Sequence, residues 1–121
     1  MSNQDKQLEL YEKLTEQSSL KEVQNYVNQV NEIRGFNSQE ITKTMLLLTE
    51  EIGELAKAIR KEATDMSIDI NKQYNYDTIE SEVSDVFYVL SCVCNKLDID
   101  IFSALKAKEI KNIYRTYSKN K

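Results

Sequence analysis

Residues 41–62, ITKTMLLLTEEIGELAKAIRKE, and residues 79–97, IESEVSDVFYVLSCVCNKL, are written to one plan. In the first, apolar residues fall at Ile41, Met45, Leu48, Ile52, Leu55 and Ile59; in the second, at Ile79, Val83, Val86, Leu90, Val93 and Leu97. Steps of four and three are the signature of an amphipathic helix that packs one stripe against a partner. Each helix also carries two acids three apart, Glu51/Glu54 and Glu82/Asp85, each one residue before a stripe position. At about 100° per residue the pairs edge their seams on the same side. Four carboxylates bordering packed seams repel one another and resist desolvation unless a cation holds them. The pattern predicts a metal site between two helices.

Working outward, the rest of the chain agrees with an all-α fold. It has 121 residues, two glycines, no proline and a net charge of −4. That length suits one domain with a single core, and scarce glycine and proline argue against tight turns. The negative balance gives no field toward nucleic acid, and no apolar stretch is long enough to span a bilayer. The polar start MSNQDKQLEL is unlike a secretory leader. Cys92 and Cys94 point to nearly opposite sides of a helix and should not bridge, which suits buried thiols in a reducing cytoplasm. With no histidine, catalytic triads and His-based acid–base chemistry are excluded.

Boundary signals divide the chain into a bundle of four helices after an N-terminal arm, residues 1–18, which is either a short extra helix or frayed. The first core helix follows Ser18/Ser19, carries Leu20, Val23, Val27, Val30 and Ile33, and stops at Gly35. Asn37 with Glu40 is placed to cap a helix over about 38–62, and Asp77 with Glu80 to cap one reaching about Leu97. Between them, residues 63–76 lose the period and form a loop, in which Lys72, Tyr74 and Tyr76 could form a lid. The last helix spans about 101–118, with Phe102, Leu105, Ile110, Ile113 and Tyr117 among its apolar positions.

Oxygen donors without nitrogen or thiolate suit Mg2+ or Mn2+ rather than Zn2+ or copper. Mg2+ keeps waters and binds phosphates, so the cage points to phosphoryl chemistry on a polyphosphate. A Glu-x-x-Glu on one helix is usually a solvated face; the matched offset on two helices, with no basic residue in either stripe, is what makes these acids a site.

LLLTEEIGELAKAIRKE followed by IESEVSDVFYVL resembles the Glu-Glu-x-x-Glu … Glu-x-x-Asp signature of the MazG-like, all-α nucleotide pyrophosphohydrolases, and Lys108, Asn112 and Arg115 in KEIKNIYR match that family's pattern on its final helix. The likeness covers about residues 20–118. It implies a MazG-like four-helix bundle over residues 19–121 and Mg2+-dependent hydrolysis of (deoxy)nucleoside triphosphates to the monophosphate and pyrophosphate, as in nucleotide-pool house-cleaning. Glu51, Glu54, Glu82 and Asp85 would bind metal; one of them, or Glu50, would activate water. Lys108, Asn112 and Arg115 would meet the phosphates or sugar, and Tyr26, Phe36, Tyr74, Tyr76 and Tyr88 are the aromatics available to a base. The expected partners are the nucleotide and a second copy of the chain, as a homodimer or homotetramer, with no nucleic acid or membrane. Two other readings stand beside this one. They are a pyrophosphohydrolase of the histidine-pathway type, against which the absence of histidine speaks, and a non-catalytic helical module for oligomerisation or partner binding.

Overall fold

The protein, seen in a computed structural model that describes residues 1–71 and 77–116, is built from five helices: α1 (Asn3–Glu12), α2 (Leu20–Arg34), α3 (Ile41–Ala63), α4 (Ile79–Lys96) and α5 (Ile101–Ile113). No strand occurs among the described residues. The arm resolves as a helix: Ser2 and Asp5 cap α1 reciprocally, and α1 lies along α2, where Gln7 accepts a hydrogen bond from Arg34.

Each core helix starts and stops for a local reason. Ser19 and Glu22 form a capping box on α2, and Gly35, with φ 81°, ends it in the left-handed region that a side chain would strain. The Gly35 amide reaches Glu32 O, and the Phe36 amide reaches Asn31 O at 3.0 Å. Two starts differ from those the sequence predicts. Asn37 does not cap α3; its amide turns back to Asn28 O and Glu32 Oε2, so the connection doubles back along α2 and the helix begins at Ile41. Thr78, not Asp77, caps α4 by accepting from the Ser81 amide, while Asp77 takes the Ser81 hydroxyl. That hydrogen bond, with a second from the Thr78 amide, holds the Asp77 carboxyl below its usual range. At the far end of the chain, α5 is capped by Asp100 and stops at Ile113, five residues short of the expected 118. Lys72, Tyr74, Tyr76 and Tyr117 lie outside the described residues.

α3 and α4 form the most extensive pair, and α2 covers α4. The order of contacts fixes their directions. Gln24, Asn31 and Arg34 of α2 meet Asn95, Cys92 and Tyr88 of α4, so the two run antiparallel. Lys96 at the end of α4 donates to the carbonyls of Asn37 and Gln39 just before α3, so α3 is antiparallel to α4 as well. α5 returns against α2.

The buried face of α3 and α4 only partly coincides with the predicted stripe: Val93 is buried, and Ile41, Leu48, Leu55, Ile79 and Val86 are half-buried. Thr44 and Ala58 of α3, and Glu82, Val89, Ser91, Cys92 and Val93 of α4, are buried. Met45, Ile52 and Ile59, and Val83, Leu90 and Leu97, are left exposed in two rows of seven-residue spacing. The stripe is thus wider than one seam, and its apolar half faces away from the α3–α4 contact. α5 likewise buries none of its residues, leaving Phe102, Leu105, Ile110 and Ile113 open.

A polar clamp joins α2, α4 and the start of α5 at one end of the bundle. The buried Gln24 amide donates to Asn95 Oδ1 and to Ile99 O, its oxygen accepts from the Ile101 amide at 3.0 Å, and Asn95 Nδ2 returns a bond to Gln24 O. Gln24→Leu keeps the volume but orphans these partners, and should lower unfolding free energy by about 1–3 kcal/mol in urea titrations. No loss of stability would mean that the clamp is replaced by water.

Candidate metal centre and adjoining cavity

Glu51 projects from the middle of α3, and Glu82 and Asp85 from the first turns of α4, and antiparallel packing brings the three together. One carboxylate oxygen from each lies within 4.8 Å of the others. Glu82 is only 6% exposed, Glu51 is half-buried and Asp85 is open to solvent. Glu82 therefore sits inside the α3–α4 contact, and Glu51 and Asp85 lie toward its edge. Their charges show in their proton affinities. Burial pushes the Glu51 carboxyl above its ordinary value, and Asp85, Glu82, Glu54 and Glu50 push it further. Glu82 is raised by burial first, then by Asp85, Asp77 and Glu54, against an opposing pull from Lys57.

The fourth predicted ligand stands apart. Glu54 is exposed and forms an ion pair with Lys57 at 3.8 Å, near enough to raise both buried acids but outside the three-oxygen cluster. Glu50 is exposed, and is the weakest of the neighbours acting on Glu51. Lys57 lies off the stripes, where no sequence pattern marks it, yet it is the cation that moderates Glu82. Lys108, Asn112 and Arg115 are not brought to the acids within one chain. They lie on or just past α5, which packs on α2; Asn112 donates to Glu109 at 2.7 Å, and Arg115 follows the helix end.

Three clustered carboxylates, two of them pushed toward protonation, fit a hard divalent cation. Such an ion favours oxygen donors and supplies the charge that burial and repulsion withhold. Glu51, Glu82 and Asp85 are the residues that would hold it, with Glu54 within electrostatic reach.

Glu51 and Asp85 also line a cavity of about 480 Å3 between α2, α3 and α4. Its opposite wall is a chain of hydrogen bonds that no sequence motif announces. Arg34 Nη1 donates to the Tyr88 hydroxyl at 2.9 Å, that hydroxyl donates to Asn31 Oδ1, and Asn31 Nδ2 donates to Cys92 Sγ at 2.7 Å. Burial raises the Tyr88 hydroxyl above its ordinary value, against the pull of Arg34, so it stays a neutral donor. Burial raises the Cys92 thiol as well, which keeps it protonated. Of the five aromatics singled out by sequence, Tyr26, Phe36 and Tyr88 line this cavity. Asn31 and Arg34 carry no motif; only their place beside the Val27/Val30 face could have pointed to them.

The family model of the MazG nucleotide pyrophosphohydrolase domain matches residues 39–117, which include the three clustered acids. Among solved structures, the chain is similar to YPJD of Bacillus subtilis, a candidate pyrophosphatase, with 25% identity over 84% of this chain and all of that one, at a TM-score of 0.71. It is also similar to the Bacillus-conserved MazG protein, a nucleotide pyrophosphohydrolase, with 28% identity over 88% of this chain and all of that one, at a TM-score of 0.56. No curated protein matches the sequence. No helix among the described residues is long and apolar enough to cross a membrane.

The raised carboxyls fix the sign of a pH effect. Between the ordinary value near 4.5 and the raised ones, the folded chain binds more protons than the unfolded chain. Its stability is therefore fully present at lower pH and is lost as pH rises through the raised values. Metal-free protein should melt at a lower temperature at pH 7 than just below 4.5 as far as these groups decide it, and millimolar Mg2+ or Mn2+ should restore the difference at pH 7 only. Glu82→Gln should blunt both effects in thermal scans. A metal-insensitive melting temperature would remove the centre.

Proposed function

The chain belongs to the MazG nucleotide pyrophosphohydrolases, and from that premise we propose that it hydrolyses (deoxy)nucleoside triphosphates to the monophosphate and pyrophosphate with Mg2+, or Mn2+, as cofactor. The observation that carries the proposal is the three-carboxylate cluster opening into a cavity of nucleoside size. Bound there, a divalent cation would offset phosphate charge and lower the pKa of water.

The chain's own residues set the rest. Glu51, Glu82 and Asp85 hold the charge that gathers the cation, and Glu54 adds to that field. Water attacks the α-phosphorus, the α–β bridging bond breaks, and pyrophosphate leaves with the bond electrons. The water proton passes to a carboxylate. Glu51, which lines the cavity as a member of the cluster, or Glu50, its neighbour on α3, is that acceptor. Attack at the γ-phosphate would call for a glycine-rich cradle, and the only glycines are Gly35 and Gly53.

The assembly is part of the proposal. Two rows of apolar side chains at seven-residue spacing, on antiparallel helices, are the half-interface of a four-helix bundle completed by a second copy. In a homodimer or homotetramer, α5 can carry Lys108, Asn112 and Arg115 to an acidic cluster that it does not meet in one chain.

Two measurements test this. In a phosphate-release assay over a nucleotide panel with Mg2+, orthophosphate should appear only after inorganic pyrophosphatase is added, and Asp85→Ala or Glu82→Gln should cut turnover by roughly a hundredfold or more. Direct release of orthophosphate, or an unaffected variant, contradicts the proposal. Light scattering at micromolar concentration should give a dimer or tetramer, with Leu90→Glu shifting it toward monomer; a monomeric native chain would overturn the assembly.

A further inference from the structure

Asn31 is 2% exposed, lines the cavity and comes from α2, a helix that contributes nothing to the acidic cluster. A carboxamide offers two acceptor lone pairs and two N–H donors. Here Tyr88 spends one lone pair of Oδ1, and Cys92 takes one hydrogen of Nδ2. That leaves one acceptor site and one donor site on a side chain that lines the cavity. Leaving such sites unpaired in a buried position costs free energy, so they are suited to a ligand that pairs both.

The amide is also oriented. The neutral Tyr88 hydroxyl, itself held by Arg34, donates and therefore fixes which end is oxygen; the Cys92 sulfur accepts and fixes which end is nitrogen. The remaining pair thus has a set polarity. From this geometry, and resting on the proposed pyrophosphohydrolase function, we infer that Asn31 is the specificity-determining residue that reads the Watson–Crick edge of the nucleobase, with Tyr88 as its positioning residue. The cavity reaches from Asn31 to Glu51 and Asp85, so a nucleotide with its base at the amide has its phosphates directed to the acids. Tyr26, Leu47 and Val89 give the slot apolar and aromatic walls for a flat ring.

The polarity has a chemical consequence. Cytosine presents an acceptor at N3 beside a donor at N4, whereas uracil presents a donor at N3 beside an acceptor at O4. An amide free to flip would serve both; one held by Tyr88 and Cys92 serves one and sets like against like with the other. A correctly paired edge is worth about tenfold or more in discrimination.

The test compares dCTP with dUTP in the native chain, Asn31→Leu and Tyr88→Phe, with Mg2+, alongside calorimetric binding of dCMP and dUMP. The native chain should separate dCTP from dUTP by at least about tenfold in kcat/KM. Asn31→Leu should bring the two within about threefold while still releasing pyrophosphate, and Tyr88→Phe should narrow the gap part-way by freeing the amide. A native ratio near one, or a ratio that survives Asn31→Leu, overturns the inference and leaves the hydrolase function standing. If the native chain releases no pyrophosphate, that function fails and the monophosphate affinities decide: a preference abolished by Asn31→Leu supports the reading of the base by Asn31, and equal or absent binding overturns it. Should Asn31→Leu lose its helical circular dichroism, Tyr88→Phe, which keeps the ring, decides in its place: a narrowed ratio supports the inference and an unchanged one overturns it.

Discussion

Like-charged carboxylates gathered at a helix–helix contact are the constraint around which this chain is arranged. Glu82 is almost fully buried, Glu51 half so, and with Asp85 they bring three oxygens within 4.8 Å. Packing alone would never select such an arrangement, since each acid loses hydration and gains a repelling neighbour. The flanking positions make room for it. Thr44 and Ala58, seven residues to either side of Glu51 on α3, are small and buried, so no large apolar side chain occupies those positions of the face that carries Glu51. The consequence is a thin core. Val27, Val30, Ala58, Val89, Cys92 and Val93 are the buried apolar residues among those described, and much apolar surface remains outside.

Two features of the fold follow from that thinness. One end of the bundle is held by polar side chains where a thicker core would use apolar ones: Gln24 and Asn95 tie α2 to α4 and to the start of α5, and Lys96 ties the end of α4 to the turn before α3. The apolar residues displaced from the interior reappear as the rows Met45/Ile52/Ile59 and Val83/Leu90/Leu97. One face of the α3–α4 pair thus carries the acidic cluster and the other an exposed apolar surface. This division explains how a chain of 121 residues can tolerate an acidic centre in its interior.

The sequence disclosed the helices and the acids because both are periodic and local. Ser19, Gly35 and Asp100 end or start helices through contacts with residues at most four positions away, and the Glu51/Glu54 and Glu82/Asp85 spacing is a property of single helices. It did not disclose which half of a wide apolar stripe would be buried. Leu48 and Leu55 belong to the buried and exposed faces alike, and tertiary packing, not period, assigns Ile52 to the outside. Asn37 and Asp77 have the chemistry of caps but find better partners, one in α2 and one in a neighbouring hydroxyl. The Arg34–Tyr88–Asn31–Cys92 chain was illegible because its members are 54 to 61 residues apart across α2 and α4, and no local pattern marks a hydrogen bond between them. The expected α5 was too long because its apolar period runs past the point where the helix ends at Ile113.

The central claim, that the acids between α3 and α4 hold a divalent cation, is tested most directly by anomalous diffraction from crystals grown with Mn2+. A manganese peak ligated by Glu51, Glu82 and Asp85, joining both helices, is the expected result. A cluster that stays empty while manganese binds only exposed acids such as Glu50 or Glu62 would contradict it.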